Sequence, residues 1–168
     1  MESRVKFFGH PIHPMLIPFP LALFTTAAIF DAVYLATGNS DWARASFMII
    51  PVGLGVGALA AIFGLIDYFA IPRNTRAKRI GAMHGIGNVV MMLMFLISFA
   101  TRLIDPDAPA LAASAFAFVG AGLGAITGWL GGELMNRLGV GVDDGAHPNA
   151  PSSLTKLPAT GTTTSRVP

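Results

Sequence analysis

Residues 42–71 read WARASFMIIPVGLGVGALAAIFGLIDYFAI. From Arg44 to Asp67 no charge interrupts the run, and roughly 20 such residues at 1.5 Å each span the hydrocarbon of a bilayer. Three further stretches have the same character, at about residues 15–37, 80–104 and 110–138. Apolar residues make up 53% of the 168-residue chain and charged residues 12%, half the share usual in soluble proteins, so the composition is that of a membrane protein. The expected fold is all-α: an integral membrane, antiparallel four-helix bundle over residues 1–138.

The rest, residues 139–168, is rich in Gly, Pro, Ser and Thr without apolar periodicity and reads as a disordered cytoplasmic tail. His147 falls in it as an exposed loop residue. Arg4 and Lys6 before the first run imitate a secretory signal, but its length and interior prolines argue for an uncleaved helix. Lys and Arg set the orientation, because cytoplasmic loops retain positive charge. Arg4, Lys6, Arg73, Arg76, Lys78, Arg79, Arg137, Lys156 and Arg166 fall on the side of the termini and the central loop, against Arg44 and Arg102 on the other. Both termini are therefore expected on the cytoplasmic side of an inner (cytoplasmic) membrane. The net charge is only +2, and no nucleic-acid surface is evident.

With depth assigned, the polar residues gather in one leaflet. His10 and His13 open the first helix, and Asp67 lies in the last turns of the second. His84 and Asn88 lie in the first turns of the third helix, four apart and hence on one face, and Glu133 lies near the end of the fourth. Ionisable groups in a membrane cost several kcal/mol unless paired, ligating or wetted, which makes this cluster a candidate site. Asp31 and Arg102 lie at the outer ends of their helices and can neutralise each other. Around the histidines, Pro11 and Pro14 suit a first helical turn, whereas Pro18 and Pro20 remove donors from the ladder, so the first helix begins stiffly and irregularly. Such backbone is tolerated at membrane depth where it lines a protected cavity, and it lets His10 and His13 turn inward.

Residues 52–64, VGLGVGALAAIFG, align without gaps on residues 119–131, VGAGLGAITGWLG. Gly53, Gly55, Gly57 and Gly64 match Gly120, Gly122, Gly124 and Gly131, and each stretch then reaches an acid, Asp67 or Glu133. The pattern is that of a duplicated helical hairpin with His13 and His84 as rough counterparts. The glycine faces of the second and fourth helices are expected to approach each other, or to admit a flat cofactor. The methionines read as core or lipid-facing filler.

HPIHPMLIPFP, GLIDYFAIPRNTRAKRIGAMHGIGNVV and GWLGGELMNRLGVGV, in that order, resemble the three signature stretches of a bacterial four-helix membrane family known as domain of unknown function 2231. The resemblance implies the four-helix fold over about residues 7–142 and no established activity. Some members continue into a Rieske-type iron–sulfur domain, which implies a redox setting and a redox protein partner.

Zero cysteines exclude disulfides, iron–sulfur clusters and covalent c-type haem. Three function classes stand. In the first, His84 with His13 or His10 ligates a b-type haem, with Arg76 or Arg79 meeting its propionates or a lipid headgroup; alternatively, the histidines with Asp67 or Glu133 bind non-haem iron or zinc, Asn88 supporting the cluster. In the second, the cluster only hydrogen-bonds helices together in a structural or partner-binding scaffold. In the third, Asp67, Glu133 and His84 relay ions or protons. No nucleophile constellation and no phosphate loop points to a soluble enzyme.

Overall fold

The computed structural model describes residues 1–155 and 157–161. The tail expected over 139–168 thus falls outside the described residues at 156 and 162–168. A two-residue antiparallel ladder, β1 (Lys6–Phe7) with β2 (His10–Pro11), precedes the helices and turns through Phe8 and Gly9, both at positive φ. The helices are α1 (Ile12–Leu16), α2 (Pro18–Thr37), α3 (Ser40–Ala70), α4 (Arg76–Arg102) and α5 (Leu111–Asn136). α1 and α2 form one span, Ile12–Thr37, so four spans are long and apolar enough to cross a membrane.

Local chemistry sets the boundaries. Pro18 and Pro20 supply no N–H, and the chain passes from α1 to α2 through Ile17, whose own N–H still donates to the His13 carbonyl at 3.2 Å. Gly38 in the left-handed conformation ends α2, and the Asn39 side chain caps α3 by accepting from the Asp41 N–H. Thr75 caps α4 by accepting from the Lys78 N–H, which starts that helix four residues before the expected Ile80. Lys78 in turn donates to the Tyr68 carbonyl at 2.6 Å and sits 3.8 Å from the Tyr68 ring centroid, closing the turn between α3 and α4.

Close neighbours are α2 with α3, α4 with α5, α3 with α4, and α2 with α5. The expectation that the glycine faces of the second and fourth spans meet is therefore corrected, since α3 and α5 are not among the closely packed pairs. Those glycines instead receive side chains from α2 and α4. A Cβ on Gly53 would come within 2.7 Å of Phe24, and one on Gly120 within 2.7 Å of Phe95. Met92 and Pro20 pack on Gly57 and Met91 on Gly124, so the faces expected to admit a macrocycle are filled. The Phe24 and Phe95 rings stack across the centre, 4.1 Å apart and 12° from parallel.

The repeat thereby extends beyond α3 and α5. Phe24 and Phe95, Asp31 and Arg102, and His13 and His84 are separated along the chain by the same number of residues, and each pair meets across the bundle axis. Asp31 and Arg102 form a doubly hydrogen-bonded ion pair with both side chains 0% exposed, braced by Ser98 Oγ, which accepts from Arg102 and donates to the Ala113 carbonyl. The neutralisation expected from the sequence is thus present. Because overpacking costs about 1–3 kcal/mol, Gly53→Ala and Gly120→Ala are each expected to lower the unfolding temperature in detergent, while Gly55→Ala and Gly122→Ala, where a Cβ meets nothing within 4 Å and alanine is the better helix former, leave it unchanged or raise it slightly.

Candidate functional site

His13 projects from the short α1 toward α3, and its Nδ1 lies 2.8 Å from the Ala60 carbonyl. His84 projects from α4 toward α5, with Nδ1 2.8 Å from the Thr127 carbonyl. Ala60 and Thr127 are matched positions of the repeat. So are Gly64 and Gly131, against which the two rings lie: a Cβ there would come within 2.7 Å of His13 and 3.1 Å of His84. A carbonyl only accepts, so in both rings Nδ1 carries the hydrogen and Nε2 the lone pair. The ring centroids are 6.4 Å apart and the planes nearly perpendicular, at 87°.

The two lone pairs differ in surroundings. Asn88 Nδ2 donates to His84 Nε2 at 3.1 Å, and Asn88 Oδ1 accepts from the Thr127 hydroxyl at 2.9 Å. The counterpart of Asn88 is Ile17 and that of Thr127 is Ala60, so nothing equivalent engages His13, whose Nδ1 makes its one hydrogen bond among the described residues. Thr127, Ala60, Gly64 and Gly131 were not singled out as site residues from the sequence. The repeat alignment already paired them, but only the third dimension shows that histidines rest on them.

The other expected members lie elsewhere. Asp67 accepts from Ser3 Oγ at 2.7 Å and from the Arg4 N–H at 2.7 Å, holding the N-terminal segment rather than a histidine. Glu133 pairs with Arg76 at 2.6 Å. His10 is exposed on β2 with Nε2 3.4 Å from Ser153 Oγ, and Arg79 is exposed. Among the described residues no three His, Cys, Asp or Glu side chains assemble as a metal ligand set.

Below the site the N-terminal segment and residues after α5 clasp each other. Lys6 donates to both Glu2 and Asp143, and the Gly141 N–H donates to the Met1 carbonyl. The hydrogen bond to Asp143, then that to Glu2, raises the Lys6 pKa, and the bond from Lys6 lowers that of Glu2. A lowered carboxyl contributes stability above its ordinary value of about 4.3 and loses it as pH falls through the lowered one; the raised amine loses its share only on the alkaline side, beyond about 10.4. The clasp is expected to hold across the neutral range. An NMR titration should place the Glu2 midpoint below the usual glutamate range, and Lys6→Met should raise it towards that range, the Asp144 N–H still holding part of the lowering.

Four packed helices long and apolar enough to cross a membrane define a polytopic membrane protein. The chain belongs to the family described as "Predicted membrane protein (DUF2231)", whose model matches residues 9–144. No curated protein and no solved structure matches it.

Proposed function

We propose that this chain is a redox-associated membrane module holding one transition-metal centre, foremost a haem iron, between His13 and His84, in a bacterial inner membrane with both termini cytoplasmic and a redox protein as partner. One observation carries the reading: imidazoles from counterpart positions stand 6.4 Å apart, each oriented through Nδ1 by a main-chain carbonyl. Metal-ligating histidines almost always donate the other ring N–H in this way. With metal–imidazole bonds of about 2.0–2.1 Å, the separation accommodates one ion.

Ligand count narrows its identity. With Asp67, Glu133 and His10 engaged elsewhere, two protein nitrogens remain, which is too few for a three- or four-ligand zinc or non-haem iron site and the number a haem iron takes axially. Met91 and Met92, two turns above His84, fill the glycine faces, so a macrocycle would have to displace both. Arg79 is the cation left for a propionate or a lipid headgroup, because Arg76 is paired with Glu133.

A second reading, the hydrogen-bonded scaffold, is favoured by the Asn88 amide, which already engages His84 Nε2. Transport finds less support, because the stacked Phe24 and Phe95 fill the axis between the two polar layers. Purified in mild detergent after haem-supplemented expression, the protein is expected to show a Soret band that shifts on dithionite reduction. A colourless protein without stoichiometric metal by elemental analysis would leave the scaffold.

A further inference from the structure

The turn between β1 and β2 carries a residue unsuited to its backbone. With Phe7 paired to His10, Phe8 and Gly9 are the two central residues of a hairpin turn, and both have positive φ, 49° and 84°. Positive φ at both positions is the mark of a type I′ turn, whose first central position suits Asn, Asp or Gly, because a bulky side chain is strained in the left-handed region. Phenylalanine stands there instead, and burial within the protein does not compensate it. Phe8 is 68% exposed and Phe7 57%, and their rings meet edge to face with centroids 4.4 Å apart, making one apolar knob. The tip is braced from the segment after α5: a Cβ on Gly9 would come within 2.6 Å of Ser153 Cβ, and Ser153 Oγ lies 3.4 Å from His10 Nε2.

Hydrogen bonds set the depth of this knob. The Arg4 N–H is bonded to Asp67, three residues before the end of α3 at Ala70, and His13 to the Ala60 carbonyl, ten residues before it. At 1.5 Å per residue these two marks lie about 4.5 Å and about 15 Å inside the helix end. The ladder is strung between them, its base closed by the Ile12 N–H on the Val5 carbonyl. α3 has 31 residues and measures about 46 Å, more than the roughly 30 Å of bilayer hydrocarbon, so its last turns pass through the headgroup boundary. The hairpin base therefore lies beside that boundary rather than in the water beyond the bundle. Further along the chain, Met15 and Phe19 of the first span are exposed as well, as lipid-facing residues are. We propose that the Phe7–Phe8 tip is an interfacial anchor that inserts into the adjacent leaflet, at the junction of headgroups and acyl chains. Apolar groups bury about 5–10 Å deep at that junction, and the apolar area removed from water offsets the strain at Phe8. The anchor pins the segment that leads into His13, and it does so whether or not a metal binds there.

The chain has no cysteine, so a nitroxide can be placed at one position at a time and its depth read by paramagnetic resonance. In vesicles of phosphatidylcholine and phosphatidylglycerol, the full chain labelled at Phe8→Cys is expected to collide more often with oxygen, which concentrates in hydrocarbon, than with a water-soluble nickel chelate. The ratio of the two should fall between that of Val52→Cys, exposed near the middle of α3, and that of His147→Cys, exposed after α5. A Phe8→Cys label as open to the chelate as His147→Cys would place the tip in water and overturn the proposal. A ratio equal to that of Val52→Cys would place it in the hydrocarbon and overturn the interfacial depth. A label immobilised and shielded from both reagents would mean that a second copy or another protein covers the tip, which would overturn the proposal as well. Should Phe8→Cys fail to fold, Phe7→Cys decides by the same three comparisons.

Discussion

Arg102→Ala is expected to destabilise the bundle by about 3–5 kcal/mol, because it strands the Asp31 carboxylate in a wholly buried, apolar layer without a counter-charge. The membrane aggravates the cost, since no water at that depth can replace the guanidinium. Asp31→Ala strands the cation and is expected to do similar damage, with the Ser98 hydroxyl as the one neutral side-chain partner left to Arg102 among the described residues. Asp31→Leu with Arg102→Leu removes both charges and should restore most of the stability, because replacing a buried pair by packed hydrophobic residues is often neutral or favourable. Thermal unfolding of the four proteins in one detergent checks this. A double variant as unstable as the singles would mean that the layer depends on the pair's geometry rather than on charge balance.

Asp67→Ala carries the second large effect, confined to the inner end. Two donors converge on that carboxylate, the Ser3 hydroxyl and the Arg4 amide, and hydrogen bonds to a charged group contribute about 1.5–3 kcal/mol each. Losing both amounts to about 3 kcal/mol or more of local docking energy, at least a hundredfold in the open population at 1.4 kcal/mol per factor of ten. Trypsin cleavage after Arg4 should accelerate accordingly while the global unfolding temperature barely moves. Asp67→Asn retains one acceptor oxygen and is expected to fall between. Unchanged cleavage in Asp67→Ala would show that the clasp through Lys6, Glu2 and Asp143 holds the segment by itself.

The four spans were legible from length and apolar composition because the bilayer imposes both. The Asp31–Arg102 pair was legible for a related reason: two opposite charges at matching depth have few other partners there. His84 and Asn88 were read on one face from their spacing alone, and their side chains do meet. Depth is not azimuth, however. Asp67, Glu133 and His10 share the histidines' end of the bundle, yet each finds a partner other than His13 or His84: Ser3 and Arg4 before β1, Arg76 in the first turn of α4, and Ser153 after α5. The glycine faces misled in another way. A side-chain-free surface announces close approach but not by what, and two phenylalanines fill what an opposing helix was expected to fill. The amide hydrogen bond to His84 Nε2 was hidden by the same limit, since it shows only when Asn88 and Thr127 are seen together.

The meeting of Asp31 with Arg102 on the axis between the hairpins carries a consequence for assembly. In a symmetric dimer of identical hairpins, an axial position faces its own copy. Two copies of the first half would oppose carboxylate to carboxylate, and two of the second guanidinium to guanidinium, each a like-charge pair sealed from water. Only unlike halves neutralise. Expressed as separate polypeptides cut in the 71–75 turn, the hairpins would therefore sort into obligate heterodimers, with each half serving as the other's counter-ion and neither able to substitute for its partner.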